Sequence, residues 1–434
     1  MAERRRSRLS PFFSTAEMDA LFSPLSGHFG CLIAVSGGAD SVALMHAANR
    51  WRRATGGHIR LVVTTIDHGL RPQSRTEAEF VGAVANRIGL QHFILNWQGA
   101  KPGAGLQNAA RNARYGLLRA FAAENHLAAV VTAHTQEDQA ETLMMRLARG
   151  SGLDGLAGIA AVTHMGEMTL IRPFLDISKV RLKAFLRSIG ESWIEDPSNA
   201  DANFERVRVR RAIGVLRKQG FDTRAIALSA KRLGRAKDAC ASAASNFAAS
   251  HLQVFPEGWA RVALAAFRSA PGEIAINFLS KVLAAFGGGA RQVRLSKIEA
   301  LYLALLKEED DKWTLGGCIL RLASGQVTII REEGRLISND ILLAPGERAV
   351  WDGRFEVSCN HQSGLVRVTA LRLEGWKRLD SPLLGAPKAA LSVTPAFWLD
   401  DQFLSAPLAS TASTSSGDAL VCRATFVNPF DEKI

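Results

Sequence analysis

The 434-residue sequence has five cysteines, Cys31, Cys240, Cys318, Cys359 and Cys422, and no two of them form a Cys-x-x-Cys pair. That spacing argues against a zinc ribbon, an iron–sulfur cluster and a disulfide framework, and it fits a reducing, cytoplasmic setting. No eighteen apolar residues run together, and no apolar signal core follows the basic N-terminus, so a soluble protein with no membrane partner is expected. Internal repeats are absent. Acidic residues are in deficit, 41 Asp and Glu against 53 Lys and Arg, which gives a net charge of +12 and makes a polyanionic partner plausible. The arginines from Arg4 to Arg8 read as a solvated tail, with an RNA-touching arm as the competing reading. At this length about two or three domains are expected, each able to bury a core.

The most informative stretch is Cys31-Leu-Ile-Ala-Val-Ser36-Gly37-Gly38-Ala39-Asp40-Ser41-Val42. An apolar, β-branched run stops at a glycine pair, and a helical apolar pattern begins at once, which predicts a strand, a tight turn and a helix N-terminus. Glycines in such a turn let backbone N–H groups approach an anion closely while the following helix points its positive end at the same spot. Ser36 and Ser41 add hydroxyl donors. Asp40 beside a phosphate calls for a divalent metal between them, which makes Mg²⁺ the expected ion and Asp40 its ligand. An ordinary capped turn is the bland alternative, but the full Ser-Gly-Gly-Ala-Asp-Ser string is more specific. The string resembles the PP-loop of the ATP pyrophosphatase superfamily. It is not a Walker loop, because no Gly-Lys-Ser/Thr follows the glycines.

Further strands alternate with helices: a β-rich run at 60–71 that ends in a polar turn, before a helical pattern through Glu77 and Ile88; 91–97 before a helix opening near Asn108; and 127–132, from which residues 133–142 lead into another helix. This alternation predicts a parallel sheet with helices on both faces and ligands at the carboxyl ends of the strands. Three polar clusters fall at those ends: Asp67 and His68, Arg111 and Arg114, and His134, Asp138 and Glu141. Each alone is unremarkable, a strand-end histidine or an exposed arginine face. Together with the phosphate loop they mark a site.

In order along the chain, Ser-Gly-Gly-Ala-Asp-Ser, Asp67-His-Gly-Leu-Arg71, Ala110-Arg-x-x-Arg114-Tyr115, His134-x-x-x-Asp138-Gln-Ala-Glu141-Thr142, Arg149-Gly-Ser-Gly-Leu153, Arg172-Pro-Phe174 and Trp193-Ile-Glu-Asp-Pro-Ser-Asn-Ala-Asp201 resemble the tRNA(Ile)-lysidine synthetase family. The chain departs from that family's usual pattern at Thr135, Glu137, Asp154 and Val207. The resemblance implies an ATP-dependent joining of free L-lysine to C2 of the wobble cytidine of tRNA(Ile) with a CAU anticodon. It further implies Asp40, Arg111, His134, Asp138 and Glu141 as catalytic residues, and Ser36, Gly37, Gly38, Ala39, Asp40, Ser41, Asp67 and His68 as ATP-binding residues. A homodimer is compatible with it. Rival readings are another PP-loop enzyme such as a tRNA 2-thiolase, a small-molecule amidotransferase, and a non-catalytic RNA-binding protein.

The expected architecture is an α/β PP-loop catalytic domain at 29–215 after an extension at 1–28, a mainly helical tRNA-contacting domain at 221–335 and a small β-rich domain at 340–434 with a flexible stretch at 410–416. Basic residues Arg206, Arg208, Arg210 and Arg211, with Lys231, Arg232 and Arg235 on an Ala-rich helix, are the candidate tRNA contacts; a solvated helix face is the alternative for the latter group.

Overall fold

The computed structural model describes residues 13–69, 73–99, 101–102, 105–166, 168–195, 205–289, 293–307, 309–337, 340–360, 364–410, 421–427 and 430. Expectations placed on residues 4–8, 70–71, 196–201 and 411–416 lie outside the described residues. The chain divides into two compact units, Met1–Lys237 and Asp238–Ile434.

In the first unit the strands β1 (Gly30–Ala34), β2 (Arg60–Asp67), β3 (Gln91–Asn96), β4 (Ala129–Val131), β5 (Val162–Met165) and β6 (Met168–Ile171) form one sheet in the order β3-β2-β1-β4-β6-β5. All neighbours are parallel except β5, which runs antiparallel to β6. Successive side chains of a strand point to opposite faces. Cys31 and Ile33 accordingly enter the apolar cluster that holds Leu44, Val63 and Phe185, while Leu32 enters the one that holds Val62, Leu118 and Leu170. Covering both faces is what makes strands of a parallel sheet continuously apolar.

The helices are α1 (Thr15–Phe22), α2 (Ala39–Ala54), α3 (Ser74–Arg87), α4 (Leu106–Glu124), α5 (Gln136–Leu147), α6 (Leu153–Leu156), α7 (Lys179–Ser188), α8 (Glu205–Lys218) and α9 (Thr223–His251). Because β1 lies between β2 and β4, the direction of the crossovers reverses there, and a crevice opens at the carboxyl ends of β1 and β4. The loops into α2, α5 and α7 follow β1, β4 and β6 and meet at that edge.

Residues 13–25 are not an extension, contrary to the sequence expectation for 1–28. Phe13, Met18, Phe22 and Leu25 are buried in the same cluster as β1, Ser14 and Glu17 form a reciprocal cap on α1, and the Arg181 guanidinium donates to Glu17 Oε1 at 2.8 Å. The apolar spacing of so short a helix is too weak a signal to separate from a tail.

The second unit contains β7 (Leu252–Phe255), β8 (Trp259–Ala263), α10 (Leu264–Ser269), α11 (Gly272–Phe286), α12 (Leu295–Leu305), β9 (Asp311–Leu315), β10 (Cys318–Ala323) and β11 (Gln326–Arg331). Its five strands form an antiparallel sheet, β7-β8-β11-β10-β9, so the region 221–335, helical over most of its length, also carries a sheet of its own. Helices α10 and α11 are separated at Pro271, which lacks an N–H to continue α10 and stands at the N-cap of α11. Two further sheets follow. One joins β12 (Ile341–Leu343), β15 (Val366–Ala370), β16 (Pro395–Leu399) and β17 (Gln402–Ser405), and the other joins β13 (Arg348–Trp351), β14 (Phe355–Asn360) and β18 (Val421–Phe426). One apolar cluster takes Phe278 and Leu320 as well as Val368, Phe397 and Phe426, so the expected border near 335–340 runs through a shared core. Cys359 and Cys422 face each other across β14 and β18 and are joined by a disulfide, against the expectation of none; antiparallel pairing brings together cysteines that are 63 positions apart in sequence.

A buried ionic group ties this unit together. Asp352 accepts from Arg331 Nε and Nη2 at 2.9 Å each and from Arg354 Nε at 2.7 Å, and the guanidiniums also donate to the carbonyls of Gly287 at 2.6 Å and Val393 at 3.1 Å. Removing the carboxylate leaves two buried cations unpaired. Asp352→Asn is expected to destabilise the protein by about 3–5 kcal/mol in urea unfolding followed by Trp fluorescence, and a loss near zero would show that the carbonyls alone hold the arginines.

Candidate active site

The turn after β1 is shaped by its neighbours. Gly37 has φ +86°, and a Cβ there would come within 2.8 Å of Ile194 Cδ1. Its carbonyl accepts from Ile194 N–H at 2.9 Å, so the 193–195 segment straps the loop from outside. Inside the loop Ser41 Oγ donates to Gly38 O at 2.9 Å and accepts from Ser36 N–H at 3.1 Å. No side chain caps the start of α2, where the N–H groups of Ser41 and Val42 bond Gly38 O at 3.1 and 3.0 Å and those of Ala39 and Asp40 precede them. Such an end is a ready seat for phosphate.

The loop faces a cleft of about 670 Å³ lined by Ser36, Gly38, Ala39, Asp40 and Ser41, by Thr64, His68 and Ser74, and by Arg114, His134, Asp138, Lys179, Lys183, Trp193, Arg206 and Arg210. At its centre stands Lys179, the first residue of α7. Its ammonium is 3.3 Å from Asp40 Oδ2 and 3.6 Å from Asp138 Oδ1. Burial pushes the Asp40 carboxyl above its ordinary range; Lys179 opposes that shift and Asp138 adds to it. Burial would also raise Asp138, but Lys179 and Thr135 outweigh it and hold the group ionised. Lys179 would be lowered by burial, yet Asp138, Asp40 and Glu141 keep it above its usual value. His134 bonds Thr132 Oγ1 through Nδ1 at 3.0 Å, and burial lowers its pKa to about 4, so it is a neutral imidazole at pH 7.

Other expected site residues are placed differently. Glu141 is only 1% exposed, does not line the cleft, and accepts from Arg210 Nε at 2.7 Å, while its Oε2 has no partner among the described residues. Arg114 is in the cleft 3.5 Å from His68 Nε2, whereas Arg111 lies in an adjoining pocket and stacks over Tyr115. Asp67 organises its own turn, accepting from Gly69 N–H at 2.8 Å and Ser74 Oγ at 2.5 Å, and does not line the cleft. Arg206, Arg208, Arg210 and Arg211 are exposed on α8, and Lys231, Arg232 and Arg235 on α9, where Lys231 pairs with Asp176 at 2.5 Å.

The four departures from the family pattern each have a local role. Thr135 caps α5, bonding Asp138 Oδ2 at 2.9 Å through its N–H and 2.7 Å through its hydroxyl. Glu137 accepts the backbone N–H of Lys179 at 2.9 Å. Asp154 lies 3.8 Å from Lys237, and Val207 is buried. Sequence reasoning missed Lys179. Its one signal was a Ser178 N-cap followed by a basic residue at a helix start, where a cation opposes the helix dipole and so needs a separate reason to be there.

No group of three or more His, Cys, Asp or Glu that could hold a metal occurs among the described residues. Mg²⁺ commonly uses one or two carboxylates plus substrate phosphates. Asp40, beside the phosphate seat and sharing Lys179 with Asp138, fits an ion that arrives with a nucleotide rather than a resident one.

The PP-loop domain family matches residues 13–216. A tRNA(Ile)-lysidine synthase of Ruegeria pomeroyi is 37% identical over 385 residues, 88% of this chain and 89% of that protein. Proteins of the same name from Methylobacterium sp. and Bradyrhizobium sp. are 43% and 40% identical, covering 70% and 73% of this chain and 90% and 94% of their own lengths.

The depressed pKa of His134 sets a pH dependence. An unfolded chain protonates this group below about 6.5, the folded protein only below about 4, so the unfolded state binds the extra proton between those values and stability falls as pH drops through that window. His134→Gln is expected to flatten that part of a melting-temperature against pH curve; an unchanged slope would place the burial elsewhere.

Proposed function

The chain belongs to the tRNA(Ile)-lysidine synthase family, and on that premise we propose that it is an ATP-dependent ligase joining the ε-amine of free lysine to C2 of the wobble cytidine in an isoleucine tRNA with a CAU anticodon. The observation that carries this reading is the single cleft in which a phosphate-seating loop, an arginine wall and two carboxylates around an ammonium meet.

The cytidine C2 oxygen is a poor leaving group. It attacks the α-phosphate of ATP, pyrophosphate departs, and the amine then attacks C2 and expels AMP, leaving lysidine. In this reading the N–H groups of residues 37–41 and the hydroxyls of Ser36 and Ser41 hold the β- and γ-phosphates. Arg114, on the cleft wall, stabilises charge at the α-phosphate, with Arg111 behind it. Mg²⁺, held by Asp40, supplies neutralisation of the triphosphate when bound. Asp138, whose Oδ1 lies 3.6 Å from the Lys179 ammonium, receives the amine, and Glu141, outside the cleft lining, holds Arg210 on the cleft wall. Neutral His134 orients the amine and does not carry its proton, because a base of pKa about 4 is too weak for that.

The wobble base enters from a single-stranded loop, the usual target of sequence-specific RNA recognition. A methionine tRNA shares the anticodon, so the exposed basic residues of α8 and α9 and the chain beyond Lys237 serve selection elsewhere on the RNA. A thiolase is disfavoured: Cys31, the one cysteine before residue 238, is buried in β1 with its thiol pushed up to about 12.

Incubation of the protein with ATP, radiolabelled lysine and an unmodified transcript bearing the CAU loop is expected to transfer label into the RNA; no transfer would overturn the reading. Asp40→Ala is expected to abolish pyrophosphate release with tRNA binding kept within about twofold, and undiminished release would contradict the role given to Asp40.

A further inference from the structure

Beside the cleft lies a second pocket of about 220 Å³, sharing His134 and Arg206 with it. Four guanidinium groups line it, from Arg111, Arg146, Arg172 and Arg206, and no carboxylate does. Two of them also hold the loop at 155–163. Arg146 Nη1 donates to the carbonyls of Gly155 at 2.5 Å and Gly158 at 2.9 Å, and Arg172 Nη1 donates to Ala160 O at 2.8 Å and Thr163 Oγ1 at 2.9 Å. Neutral acceptors satisfy single nitrogens without cancelling the charge. Arg111 depresses the basicity of Arg146, Arg172 and His134, as expected of like charges held close after burial has already lowered each.

Two buried donors at this pocket lack partners among the described residues: Nε of Arg172, which is 7% exposed, and Oγ1 of Thr142, which is 8% exposed. Buried polar atoms are nearly always bonded, so unpartnered donors beside uncompensated cations mark a missing oxyanion. We propose that this pocket seats a backbone phosphate of the RNA, the phosphodiester adjoining the nucleotide whose base occupies the cleft. A phosphodiester offers two non-bridging oxygens to planar guanidiniums and brings no cation of its own. The α-carboxylate of lysine, by contrast, carries an ammonium beside it that four arginines repel. The assignment rests on the ligase reading, since it is that reading which puts RNA in the cleft.

Filter binding of the full chain to the CAU transcript over a potassium chloride series tests it, with Arg111→Gln and Thr142→Val as variants. Thr142→Val is isosteric and leaves every guanidinium and loop bond intact. Each variant is expected to weaken RNA binding roughly five- to tenfold, Arg111→Gln to lower the slope of log affinity against log salt by about 0.7–1, and Thr142→Val to leave the KM for lysine unchanged. Thr142→Val is also expected to raise the melting temperature without RNA, because a methyl replaces an unpaired buried hydroxyl. Unchanged RNA binding with a raised lysine KM would overturn the assignment in favour of the carboxylate, and no change in either would reduce the arginines to supports of their loop. If the wild-type protein binds the transcript with this salt dependence yet joins no lysine to it, the ligase reading fails and the phosphate seat stands. If it joins lysine while both variants bind RNA as the wild type does, the seat alone fails.

Discussion

One ammonium group governs the cleft. Lys179 stands between Asp40 at the start of α2 and Asp138 in the first turn of α5, and without it two partly buried carboxylates would face each other at the positive ends of two helices. Like charges that close raise one another's pKa, and burial raises both further. Lys179 reverses this for Asp138 and offsets it for Asp40. The parallel sheet makes the arrangement possible: β1, β4 and β6 deliver three helix starts to one edge, and the reversal of crossovers around β1 leaves the gap between them open. Glu137 fixes the backbone of Lys179, and Thr135 fixes one oxygen of Asp138, so the other oxygen is the one that meets the ammonium.

The site is also divided by charge. The cleft mixes carboxylates and cations, whereas the pocket next to it holds guanidiniums without acids. A reaction that starts from a triphosphate and an RNA base and ends with an amine needs both kinds of surface side by side. His134 and Arg206 belong to both.

Much of this was legible in the sequence because its signals were local. The apolar run 31–35 stopping at two glycines could be little other than a strand feeding a helix, and His134 to Glu141 followed the next buried strand in the same way. Lys179 was invisible because its meaning lies in residues 40 and 138, far off in the chain, and a lysine after a serine cap looks like any exposed helix start. Arg111 and Arg114 differ by three positions on one helix; the sequence places both on one face and cannot assign one to the cleft and the other to the neighbouring pocket. The second unit was least legible. Its strands are short, β7 and β8 sit between the alanine-rich α9 and α10, and the Cys359–Cys422 pairing depends on register across β14 and β18 that no local pattern encodes.

The most direct test of the account is a crystal structure of the full chain with Mg²⁺ and a non-hydrolysable ATP analogue. The account predicts β- and γ-phosphate oxygens within hydrogen-bond distance of the backbone N–H groups of residues 37–41, with Asp40 turned from Lys179 toward the ion. A triphosphate bound on another surface, with Lys179 still bridging Asp40 and Asp138, would contradict it.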